Sequence, residues 1–194
     1  MKYTIETGFI PGTVLKKSDF DGVSGMEFLN KIFFVSSGLM LGQIREISGV
    51  DGSTLQNWVK RGWLGNTVNK RYSKEQLARI LIINMLRSTM MLEKIDFILH
   101  YINGMIDDTS DDIISEAELY GYICDIYDRY SEKEYSTAEE LRNMIRTTTA
   151  EKYIEPCEGA KQRLDSALEI IIVAYFASSA ATLANGLFTK LKND

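Results

Sequence analysis

Proline is almost missing: Pro11 and Pro156 are the only two in 194 residues. The long stretches between them are free to run as helix, and Leu, Ile, Met, Ala and Glu dominate those stretches, so an all-α chain is expected. Cysteine is as scarce. Cys124 and Cys157 stand far apart, with neither a C-x-x-C pair nor a histidine at zinc spacing, so a disulfide framework or a metal site has no support and both read as reduced thiols. His100 is the only histidine, on a helix beside apolar neighbours, and any Ser-His-Asp or Cys-His centre would have to be built around it. No enzyme and no cofactor are expected. The opening MKYTIETGFIPG has a single lysine and no apolar core, so no secretory signal is expected and the cytoplasm follows.

What is present is a normal globular balance, 45% hydrophobic and 25% charged, with a net charge of −5. The charge is unevenly placed. From Leu39 to His100 there are nine Lys/Arg against five Asp/Glu, or +4; from Met105 to Glu158 there are five against fifteen, or −10. A mildly basic front module is followed by an acidic one. Three units are expected: 1–38 as an N-terminal arm and packing helix, 39–104 as the basic module, and 105–194 as an acidic helical domain for dimerisation or interaction.

The chain opens with turn formers (Gly8, Pro11, Gly12) that read as an arm laid over the domain. Asp19 or Asp21 is expected to start a helix carrying Phe28, Leu29, Ile32 and Phe33, with Gly38 as its C-cap. Leu41, Ile44 and Ile47 then share one helical face, Gly49 gives the backbone freedom for a tight turn, and Val50 plugs the corner. Asp51 is placed to cap a second helix with Leu55, Trp58 and Val59 inside, which Gly62 ends. Trp63 and Leu64 read as the apolar landing of the loop WLGNTVNKRY, short enough to be a wing. Ser73 and Gln76 have capping-box spacing ahead of a helix with Leu77, Ile80, Leu81 and Met85 inside. The next helix, with Leu92, Ile95, Ile98, Leu99 and Ile102, ends at Asn103-Gly104.

In the acidic half, Thr109 or Ser110 is expected to cap a helix whose first turn holds Asp111 and Asp112. The alternating ligands and central glycine of an EF-hand are missing, so the carboxylates read as helix caps and not as a calcium site. Ser136 and Glu139 make another capping box. The tyrosines 120, 122, 127 and 130 read as helix packing, with a pocket lining as the other use. From Ile170 to Phe188 no residue is charged, near the length that spans a bilayer. Ser178, Ser179, Thr182, Asn185 and the alanines 174, 177, 180, 181 and 184 instead favour a helix packed in a bundle or a dimer seam, with no membrane expected.

The order helix, turn, helix, wing, helix resembles the DNA-binding domain of MerR-type regulators. The residues carrying the likeness are Ile44, Ile47, Ser48-Gly49-Val50, Thr54-Leu55, Trp58, Gly62 and Leu64, then Arg71, Tyr72, Ser73, Leu77 and Arg79. It covers Leu41 to Leu99. The segments NWVKRGWL, KRYSKEQLARILIINMLR, YING and SDDIISEAELY also resemble an uncharacterised bacterial family known only as a domain of unknown function. The MerR likeness implies a winged helix-turn-helix and a transcriptional regulator whose second helix enters the major groove of double-stranded DNA, with the wing on the backbone. It implies contacts from Thr54, Gln56, Asn57, Lys60, Arg61, Lys70, Arg71 and Tyr72. Ser53 and Gln56 stand where the family usually offers arginines. A homodimer is expected, since one short helix buries little DNA surface. The alternative is a protein-interaction module that keeps the scaffold without binding DNA; the sequence names no small-molecule effector.

Overall fold

The computed structural model describes residues 8–106, 108–131 and 137–193. Eight α-helices and one short two-stranded sheet make up the regular structure among them. The all-α expectation holds, and the core explains the order of the parts. Helix α4 (Lys74–Leu86) is its axis: Leu77 to Ile83, Met85 and Leu86 are all buried, so this helix is covered on every side. Around it pack α1 (Gly25–Phe33), α2 (Leu41–Ser48), α5 (Leu92–Asn103), α6 (Glu116–Ser131) and α8 (Ala160–Asn193). One cluster of buried side chains runs from Ile10 to Tyr175, so the basic and acidic stretches share a core.

The arm goes deeper than a surface strap. Ile10 and Pro11 are buried, the Tyr120 hydroxyl donates to the Pro11 carbonyl at 2.8 Å, and Asn84 Nδ2 donates to the carbonyls of Gly12 and Ser48, both at 2.9 Å. A Cβ on Gly12 would lie 2.5 Å from the Leu81 carbonyl oxygen, which is why the chain passes α4 on a glycine. Asp19 and Asp21 do not start a helix. They belong to a 3-10 turn, Lys17–Phe20, and Asp21 closes it in the left-handed conformation at φ 56°, so α1 begins only at Gly25. Gly38 is not its cap either: α1 ends at Phe33, and Gly38 lies where a Cβ would meet the Arg71 side chain at 2.9 Å.

The acidic helix also starts later than expected. Asp108 uses its carboxylate on the Ser110 N–H in a local turn, Ile113 and Ile114 are buried, and the reciprocal bonds of Ser115 and Glu118 launch α6. Ser136 lies outside the described residues; the capping box seen at α7 (Ala138–Lys152) joins Thr137 and Glu140. Tyr120 and Tyr127 are packing residues, Tyr127 lying at a tilt against Tyr175 and Phe176 and donating to Ser179 Oγ at 3.0 Å.

Helix α8 packs by its first half only. Ile171, Ile172, Tyr175, Ser178 and Ser179 are buried, whereas Ala177, Ala180, Ala181 and Ala184 face outward. Its serines are satisfied inside, Ser178 against Ser88 at 2.6 Å. Among the described residues it is the one helix long and apolar enough to cross a membrane, and 44% of its most apolar window is buried.

Candidate functional site

Helices α2 and α3 (Gly52–Lys60) meet at a corner made by three residues. Gly49 takes φ 68° and bonds back to the Arg45 carbonyl, Val50 is 1% exposed beneath the turn, and Asp51 caps α3 by accepting from the Thr54 N–H at 2.8 Å. The cap is closed further by the Thr54 hydroxyl at 2.7 Å and the Ser53 hydroxyl. These bonds, the Ser53 hydroxyl first, hold the Asp51 carboxyl well below its ordinary range. The positive end of α3 is thereby filled by the chain's own carboxylate, and Thr54 is occupied by it.

Leu55 and Trp58 are buried, which fixes the outer face of α3. Gln56, Asn57 and Lys60 lie there at spacings of one, three and four residues, all exposed and with no side-chain partner among the described residues. Arg61, at the end of the helix, sits 3.7 Å from Glu93 and over the Trp63 ring at 5.0 Å. Trp63 itself is 7% exposed and Leu64 1%, the apolar landing expected.

The loop expected as a wing, hereafter the wing, is a tight turn. Asn69 and Lys70 both have positive φ, 52° and 59°, and the Arg71 N–H donates to the Val68 carbonyl at 2.9 Å, the pattern of a type I′ hairpin tip. A lysine in the left-handed region costs about 1 kcal/mol or more, so this residue is held there by its surroundings. Strand β2 (Arg71–Tyr72) pairs antiparallel with β1 (Leu39–Met40), putting Arg71 outside and Tyr72 inside. Arg71 reaches back to the Gly38 carbonyl at 2.9 Å. Tyr72 is 6% exposed and burial raises its phenol, so its place is in the wall under the wing and not on the surface.

A second feature was not read from the sequence. A cavity of about 770 Å³ opens between the wing, the start of α4 and the segment from Asn103 to Glu116. At its floor Arg79, with a side chain 5% exposed, donates to the Trp63 carbonyl at 2.8 Å, pairs with Glu116 through Nη1, and approaches Asp96 at 3.6 Å. Its one legible signal is an arginine inside the otherwise apolar run LARILII. Burial raises the Glu116 carboxyl while Arg79 opposes the rise. Asp112, on the same cavity, is pushed up to about 6 by partial burial and by the nearby carboxylates of Glu116 and Asp111.

A pH dependence follows. A carboxyl raised in the folded state favours folding at low pH, and that contribution is lost as pH climbs from the ordinary value of 3.8 through about 6. The melting temperature of Asp112→Asn therefore rises relative to the parent between pH 4 and 7. A difference that shrinks over that range would mean that the carboxylate is held charged by a favourable partner.

No cluster of three or more metal-ligating side chains is found among the described residues. His100 turns its Nδ1 to its own helix, 2.9 Å from the Asp96 carbonyl, and Cys124 is buried while Cys157 is exposed, both free.

Residues 36–123 match the model of a family described as Domain of unknown function (DUF1836). That span holds β1 to the first half of α6, and with it α3, the wing and every residue lining the cavity. The chain is 37% identical over 84 residues to the Uncharacterized protein YkrK of Bacillus subtilis (strain 168), a stretch covering 41% of this chain and 36% of the relative. The aligned part thus spans about a third of that relative's length. No solved structure matches the chain.

Proposed function

We propose that the chain is a non-enzymatic DNA-binding regulator with a MerR-like winged helix-turn-helix, α3 entering the major groove and the Val68–Arg71 turn on the backbone. The observation that carries the reading is the partner-free stripe Gln56, Asn57 and Lys60, opposite the buried Leu55 and Trp58. Gln and Asn match the donor and acceptor pair on an adenine edge, and Lys60 and the exposed Lys70 suit phosphates. The exposed alanines past Ser179 offer a seam for a second copy, which a two-fold operator would need.

The test is fluorescence anisotropy of the full chain on mixed-sequence duplex DNA across a salt series, with light scattering on the same samples to read the mass. With the two phosphate contacts of Lys60 and Lys70, affinity falls on the order of 10-fold between 50 and 200 mM salt. Lys60→Glu/Lys70→Glu loses both the binding and the salt slope while lowering stability by no more than about 1 kcal/mol, the cost of reversing a charge at the α3 C-terminus. A folded protein that fails to bind at low salt overturns the reading.

One observation favours the other use of the scaffold, a protein-interaction module. Asp51 fills the α3 N-terminus with negative charge where a phosphate would otherwise be met. Absence of DNA binding would turn attention to that use.

A further inference from the structure

The cavity under the wing has an apolar wall and an acidic floor. Leu64, Val68, Met105 and Ile106 supply the first, and Asp112 and Glu116 the second. Its volume is that of a small-molecule site.

The other charged groups on it are already committed. Arg71 bonds the Gly38 carbonyl, Arg79 is divided between Trp63, Glu116 and Asp96, and Glu75 accepts from the Ala117 N–H at 2.7 Å to start α6. What remains is Asp112, with no hydrogen-bond donor among the described residues, and Glu116 Oε2, which is buried with only a weak approach from the Asn103 amide beside it. Arg79 Nη2, on a side chain more than nine-tenths buried, also lacks a hydrogen-bond partner, although Asp96 lies 3.6 Å away. A ligand with an N–H donor and positive charge at one end answers the two carboxylate positions; an anion would gain only Arg79 Nη2, whose charge Glu116 and Asp96 already offset, while facing Asp112 and Glu116.

We propose that this cavity binds a small organic cation, an ammonium head between Asp112 and Glu116 carrying an apolar body against Leu64, Val68 and Met105. The raised Asp112 carboxyl fits a cavity whose negative charge is under-compensated. The site does not depend on DNA binding. If the DNA reading also holds, its occupant touches the root of the wing and is placed to bias it.

Three probes of one shape test the charge: phenethylammonium, 3-phenylpropionate and 2-phenylethanol, each titrated into the ¹⁵N-labelled full chain. The ammonium is expected to shift the amides of Gly65, Asn66 and Gly104, with a Kd on the order of a millimolar for so small a ligand. Asp112→Asn weakens it by about tenfold, the loss of one partly buried ion pair. Glu116→Gln, whose fold is checked by melting, weakens it as well. Tighter binding of the carboxylate, ammonium shifts that map elsewhere, no shift at all, or unchanged ammonium affinity in both variants each overturns the proposal.

Discussion

Arg79→Met lowers the free energy of unfolding by about 3–5 kcal/mol in urea denaturation at pH 7, because it strands a buried carboxylate without its cation. The guanidinium is 5% exposed and serves three partners on three parts of the chain, Trp63 after α3, Asp96 on α5 and Glu116 at the start of α6. Hydrophobic transfer of the arginine stem does not explain a loss of that size, since methionine keeps most of it. The signature of the charge is its pH dependence. Burial already raises the Glu116 carboxyl with Arg79 present. Without Arg79 the rise is larger, so the variant's deficit grows as pH increases through the raised value and narrows in acid. Arg79→Met/Glu116→Leu removes both members and recovers most of the loss. A single variant within about 1 kcal/mol of the parent would mean that the pair is solvated in practice and contributes like a surface bridge.

Trp58→Ala is expected to cost about 3–5 kcal/mol, the range for emptying a large buried side chain. The ring is 1% exposed, and the Arg87 guanidinium lies over it at 5.8 Å. Trp58→Phe costs about 1–2 kcal/mol, the difference between an indole and the smaller phenyl ring that replaces it. On the proposed DNA-binding reading, the series measured together with anisotropy separates two ways of losing DNA. Trp58→Ala loses stability and binding at once because α3 is no longer seated, whereas Lys60→Glu/Lys70→Glu loses binding with little stability. A loss of stability beyond about 1 kcal/mol in the charge variant would show that Lys60 and Lys70 hold the fold.

The local grammar of the front module was legible because each signal acts within a few residues. Gly49, Val50 and Asp51 form the corner, Ser73 and Gln76 form the capping box, and Gly104 ends α5 as the pattern of types and spacings predicts. The misses share a cause. Asp21, Thr109 and Ser110 are good caps by type, but a cap acts only where helix follows, and Gly22 at φ 79° and the buried pair Ile113 and Ile114 decide otherwise. The outer face of α3 could be read from Leu55 and Trp58, since two inward residues three apart fix the orientation of the helix. Tyr72 could not be assigned that way, since a two-residue strand has too little pattern to say which side is in. The cavity was invisible because its walls come from Ser37 to Glu116, brought together only by tertiary packing.

The outer part of α8 has a consequence for how it melts. After Ser179, the last buried residue, fourteen more residues run to Asn193, a rise of about 21 Å with only Leu183 half-covered. A free helix of that length is marginal in water because its first turn is costly to form. Here no first turn is needed. The buried half supplies a nucleus, and each outer residue is added by propagation alone, at near balance between coil and helix. The outer turns can therefore unwind without disturbing the core, and a partner that settles on them has only to stop the unwinding, not to fold the segment.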